Sequence, residues 1–213
     1  MRDLLDELTA TRRDVRRRVD DGAELVVVAV QRRYEAPVED VWDALTDPER
    51  VARWAAPLSG DLREGGSFRL EGNTEGEIRR CDPPRSLTVT WGAPVSLVRV
   101  QLSAEGEATL LELAHSVPVE LAGSGAGGLY VGPGWDVTVL ALALFLRGEV
   151  VEDPVAWEGT LEVQRFSERS IAAWAGVVTA GRTATDDEVA AAVDAARAQF
   201  APDLPTAPAT ADD

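Results

Sequence analysis

A chain of 213 residues with 45% hydrophobic content can bury one substantial core, and it reads as one domain with appendages. Its formal net charge of −16 argues against binding nucleic acid or an anionic membrane, where affinity comes from neutralising phosphates. All 21 basic residues are arginine, so Schiff-base and phosphate-loop lysines are excluded, and the single Cys81 cannot close an intramolecular disulfide. The first residues, Met1 to Glu7, are too acidic and interrupted for a secretion signal, so a cytoplasmic location is expected.

Residues 1–21 read as an amphipathic helix, with Leu4, Leu8, Val15 and Val19 on one stripe and Arg12, Arg13, Arg16, Arg17 and Arg18 on a solvated face. A strand-like run, Leu25 to Val30, follows. Two helix starts come next, opened by Pro37 and Pro48, where a missing N–H costs nothing and where Asp47 or Thr46 can cap the second. Val38, Val41, Trp42 and Leu45 have the spacing of a helix lying on a core.

From Leu62 the pattern is that of an antiparallel meander. It has a hairpin at Gly72–Gly76, a turn at Asp82–Arg85, and alternating strands through Trp91, Leu97–Leu102 and Thr109–His115. Gly123 to Gly134 reads as a mobile flap, and Gly134-Trp135 opens a nearly all-apolar helix to about Arg147. The apolar run from Trp135 to Leu146 is shorter than the roughly 20 residues needed to span a bilayer. A helix apolar all round must be buried, so the sheet has to curl around it. Residues 151–201 form a helical extension, with stripes Ile171, Trp174, Ala175, Val178 and Val189, Val193, Ala196, Phe200, and a capping box at Thr185 and Glu188. Residues 202–213 have nothing to bury and are expected to be disordered.

Several runs together carry a resemblance. They are Tyr34-x-Ala36-Pro37-Val38-x-x-Val41-Trp42, Thr46-Asp47-Pro48-Glu49-x-Val51-x-x-Trp54, Gly60-Asp61-Leu62-x-x-Gly65-Gly66, and Pro83-Pro84-Arg85-x-Leu87-x-x-x-Trp91. Thr109–Ser116 and Gly134-Trp135-Asp136 with the following helix extend it. The chain resembles the SRPBCC superfamily, in the branch named after the activator of the heat-shock chaperone ATPase (AHSA-type), and its C-terminal segment is similar to an extension of some bacterial members. The resemblance implies an α+β helix-grip fold over residues 22–150. In that fold a curved antiparallel sheet wraps a long C-terminal helix, two short helices follow the first strand, and a cavity lies between them. Family members include ligand carriers, cyclases and chaperone cofactors, so the fold alone names no activity.

The expected site is that cavity, lined by Trp54, Trp91, His115, Trp135 and Leu142, with Leu144 as the alternative to Leu142 on the helix. Aromatic walls with few polar groups suit a small apolar or aromatic ligand. No metal and no organic cofactor is implied, and no catalytic residue is singled out. His115 is the only histidine, which removes His-based metal clusters and leaves one imidazole as base for any nucleophile, with Cys81 as the conceivable partner. Gly123–Gly128 matches the dinucleotide fingerprint formally but follows a meander, not a parallel strand. Of Arg69, Glu71, Glu77 and Arg79, period-two alternation does not say which face inward. A cyclase- or hydrolase-like enzyme using the same cavity and a co-chaperone-like module with a protein partner, or a homodimer, stand as alternatives to a small-ligand binder.

Overall fold

The computed structural model describes residues 4–20, 22–149 and 151–205. In chain order the elements are α1 (Leu4–Glu7), a 3-10 turn (Leu8–Ala10), β1 (Thr11–Asp20), β2 (Ala23–Tyr34), α2 (Val38–Thr46), α3 (Pro48–Val51), β3 (Leu58–Gly60), β4 (Ser67–Leu70), β5 (Thr74–Asp82), β6 (Ser86–Trp91), β7 (Ala93–Glu105) and β8 (Ala108–Pro118). There follow α4 (Val119–Ala122), a 3-10 segment (Gly125–Tyr130), α5 (Gly132–Leu146), α6 (Pro154–Glu158), α7 (Leu161–Gly181) and α8 (Asp186–Phe200). The strands form one eight-stranded antiparallel sheet in the order β1-β2-β8-β7-β6-β5-β4-β3. Strands β3 to β8 are the meander, and β2 docks beside the last of them.

The sheet grips α5. This helix is buried along almost its whole length because it is covered twice, by the sheet on one side and by α7 on the other. The segment Gly125–Leu146 is long and apolar enough to cross a membrane, but 67% of its apolar window lies inside the protein. It is the core helix of the fold. Helices α2 and α3 cap one end of the grip, with Asp47 accepting from the amides of Glu49 and Arg50 at 2.8 and 3.1 Å.

The amino-terminal segment departs from the expected helix. Only Leu4–Glu7 is helical, and Thr11–Asp20 is a strand paired with β2 over ten residues, Val15 opposite Val28. The reason lies in β2, whose residues Val26 to Val30 are all buried, so an unpaired edge there would leave backbone N–H and C=O groups without partners. Val15 and Val19 are four apart, an even spacing that serves one face of a strand as well as a helix stripe. The arginines settle into pairs two residues apart, Arg16 with Asp14 and Arg18 with Asp20, the same-face spacing of a strand.

The glycine-rich segment is not a flap. Gly125, Ala126, Gly128 and Leu129 are buried, wedged between the β1–β2 edge and helices α7 and α8. A Cβ on Gly125 would sit 2.0 Å from Thr183 Oγ1, so glycine here permits close packing rather than motion. Nor is the chain loose immediately after α8. Asp203 is tied to Gln164, its amide donating to Oε1 at 2.9 Å and its carboxylate accepting from Nε2 at 2.8 Å. Of the tail expected to be disordered, residues 206–213 lie outside the described residues.

Two buried polar knots fasten the appendages to α5. Asp136 Oδ2 accepts from Arg13 Nε of β1 at 2.7 Å, and from Ser170 Oγ at 2.5 Å and Trp174 Nε1 at 3.0 Å, both on α7. Burial pushes the Asp136 carboxyl pKa upward against these donors. In the second knot, Glu7 pairs with Arg32 of β2 and, at 3.1 Å, with Arg147 beyond the end of α5.

Candidate functional site

Pairing across the meander aligns two inward rows of side chains. One runs Cys81, Leu87, Val100, Leu113, and the other Ile78, Val89, Val98, His115. Alternation places both rows on the concave face, toward α5. All of these but His115 form the floor of a cavity of about 270 Å³, near the lower end of the roughly 300–1,000 Å³ usual for ligand pockets. Helices α2 and α3 contribute Trp42, Leu45 and Val51, the turn after α3 contributes Trp54, strand β4 contributes Phe68, and α5 contributes Trp135, Thr138 and Ala141. Val155 and Glu158 of α6, with Asn73 of the β4–β5 hairpin, stand at the mouth.

The aromatic walls touch one another. Trp91 and Trp135 have ring centroids 5.0 Å apart, and Phe68 lies 6.0 Å from Trp91, distances typical of interacting aromatic pairs. Trp54 is held in place by its indole N–H, which donates to the Ala44 carbonyl at 2.9 Å.

The structure brings Trp54, Trp91 and Trp135 together at the cavity. His115 and Leu142 do not reach its wall. His115 sits behind Trp135, 4% exposed, with Trp135 Nε1 donating to Nδ1 at 3.2 Å and Nε2 lying 2.8 Å from Ser96 Oγ. An indole N–H can only donate, so Nδ1 carries the lone pair and the ring proton is on Nε2, pointing at Ser96. Burial pushes the imidazole pKa down to about 4, which keeps this neutral form at neutral pH. Both nitrogens are thus committed, and Ser96 oxygen accepts from the imidazole instead of giving it a proton. His115 is a bracket for Trp135, and the Ser96–His115 pair is arranged opposite to a nucleophile and its base.

Leu142 is 1% exposed within the closed core, because the positions of α5 that open onto the cavity are Trp135, Thr138 and Ala141. Leu144 faces the other way, against Val163 and Phe166 of α7. The conceivable Cys81–His115 pair is ruled out by topology, since β6 and β7 separate their strands and Cys81 shares its row with Leu113. Cys81 lines the cavity, and burial, with Glu64 and Asp82 nearby, pushes its thiol pKa up, away from a reactive thiolate. Of the hairpin charges, Arg69 pairs with Glu75 and Arg79 with Glu77 at the exposed surface, while Glu71 reaches the cavity rim. Among the described residues no group of three His, Cys, Asp or Glu side chains is placed to hold a metal.

Sequence reasoning missed Trp42, Phe68, Thr138 and Ala141 at the cavity, although Trp42 lies in the helix expected after Pro37, and Thr138 and Ala141 in the one expected after Gly134. It also missed the contribution of α6.

A curved antiparallel sheet gripping a long helix, with an aromatic-walled hollow beside it, defines a helix-grip protein of the SRPBCC type. The model of the family "Activator of Hsp90 ATPase homolog 1-like protein" matches residues 35–145, and the chain belongs to that family. The crystal structure of CalU16 from Micromonospora echinospora is 40% identical and covers 80% of this chain and 99% of that one, with a TM-score of 0.65. The solution structure of CalU16 gives a TM-score of 0.66. DynU16, described as a protein in the dynemicin biosynthetic locus, is 30% identical over 58% of this chain and 48% of its own, with a TM-score of 0.53. A search of curated proteins returned no match.

Proposed function

We propose that this protein binds a small apolar or aromatic molecule in the cavity between the sheet and α5, acting in the cytoplasm of a bacterium. The observation that carries the reading is the hollow itself. Leu140, Leu144 and Phe166 pack closely on the α7 side of α5, whereas Trp54, Phe68, Trp91 and Trp135 stand around open volume whose lining is mostly apolar, with Glu71, Asn73 and Glu158 among its polar groups. Flat apolar walls of this kind favour a flat apolar guest. The similarity to a protein of the dynemicin biosynthetic locus favours a small molecule over a peptide as occupant.

The cyclase- or hydrolase-like alternative needs a group that moves a proton inside the cavity; His115 has no free nitrogen to do so, which leaves that reading to the carboxylates of Glu71 and Glu158 at the rim. The reading is tested by tryptophan fluorescence. A neutral naphthyl alcohol should change the emission saturably, and Ala141→Arg, which drives a cation into the hollow, should abolish the response while circular dichroism stays native. A panel of hydrophobic compounds that leaves the emission unmoved would count against it.

A further inference from the structure

A second hollow, an open cleft of about 480 Å³, lies against the first. Trp91, Trp135, Thr138, Asn73 and Glu158 border both, so the tilted Trp91–Trp135 pair is a partition between them. The far wall of the cleft is built by α6, α7 and the end of α8, beyond residues 35–145 that the family model matches. Its chemistry differs from that of the inner cavity. Glu158, Asp203, Gln164, Gln199 and Ser167 contribute oxygens, and no arginine among the described residues borders it.

Asp203 and Gln164 already bond each other, which leaves Glu158 as the uncommitted carboxylate, with no hydrogen-bond or ion-pair partner among the described residues. Glu158 stands where the cavities meet, three residues after Val155, which reaches the inner one. One turn of α6 therefore offers an apolar contact and an acceptor to the same guest.

Resting on the binding reading above, we infer that the natural ligand is an aromatic molecule bearing a basic amine, its ring in the inner cavity and its ammonium in the outer cleft on Glu158. A carboxylate-bearing analogue of the same ring meets Glu158 and Asp203 with no cation to offset them, and is disfavoured.

Three probes with one ring test this: 2-(1-naphthyl)ethylamine, 2-(1-naphthyl)ethanol and 1-naphthylacetate, titrated into the full chain by tryptophan fluorescence. The amine should bind about fivefold tighter than the alcohol, the scale of a half-exposed charge-assisted hydrogen bond, and the carboxylate weakest. In Glu158→Gln the ratio of amine to alcohol affinity should fall toward one, and in Glu158→Lys the order of amine and carboxylate should reverse. A net charge of −16 attracts any cation, so dependence of the ratio on this one residue is what discriminates. If the alcohol binds but the amine gains nothing, or the ratio survives Glu158→Gln, the inference is overturned while the cavity reading stands. If none of the three binds, both are overturned.

Discussion

The two long faces of α5 received opposite treatment. Toward α7, Leu140 and Leu144 pack with Phe166, Val137 and Val163 join the same cluster where it meets the outer cleft, and the neighbouring Asp136 is knotted to Arg13, Ser170 and Trp174. Toward the meander, Trp135, Thr138 and Ala141 look onto open volume. The helix is apolar on both faces, so hydrophobicity did not decide which would be filled. Ala141 is small where the solid face carries Leu140 and Leu144, and His115 and Ala44 hold Trp135 and Trp54 upright instead of letting them collapse inward. One face is chiefly a structural joint and the other borders a hollow.

That contrast predicts a graded set of effects. Asp136→Ala leaves Arg13 buried without its carboxylate and should cost about 3–5 kcal/mol of stability in urea titration. Phe166→Ala opens a void in the solid face and should cost a similar amount, about 3–5 kcal/mol. On the cavity face, Ala141→Leu should change stability by less than about 1.5 kcal/mol while weakening naphthyl binding strongly, because it fills existing space. Equal destabilisation on both faces would break the comparison.

His115 sharpens it through pH. The folded imidazole titrates near 4 against an ordinary 6.5, so as pH falls the unfolded chain takes the proton first. Stability from this group is full above about pH 6.5, is lost progressively toward pH 4 and then levels off, by roughly 3 kcal/mol in all. Burial alone would raise the Glu7 pKa, but its bonds to Arg32 and Arg147 hold it low, so it adds an acid-side loss below its ordinary 4.5. The difference between wild type and His115→Gln across pH 4–6.5 isolates the histidine. Identical pH profiles would deny it the buried neutral role. The smallest effect belongs to Thr185→Ala at the start of α8, far from both faces, at about 1 kcal/mol for a lost capping box.

Much of the grip was legible because local rules and tertiary structure agree there. Pro48, Asp47 and the Thr185–Glu188 box mark helix starts through backbone chemistry alone, and the meander announces itself by alternation and tight turns. Thr11–Asp20 was misread because Val15 and Val19 satisfy both periods, and only the double-sided burial of β2 decides for a strand. Gly123–Gly134 looked mobile because nothing local reveals that Thr183 and Trp174 come to rest on those glycines. Three of the expected site residues line the cavity, since tryptophan on gripping elements points to its walls. His115 stands one layer behind, and which α5 positions open depends on how α7 rotates the helix, information spread over residues 161–181. Removing residues 1–20 to probe for a protein partner would strip an integral strand from the sheet, so that deletion does not separate partner binding from unfolding.

A crystal or solution structure of the protein with 2-(1-naphthyl)ethanol tests the central claim most directly. The account predicts the ring between Trp54, Trp91 and Trp135 with His115 still bonded behind Trp135. A solid interior, with those indoles folded into the space and the probe elsewhere or absent, would contradict it.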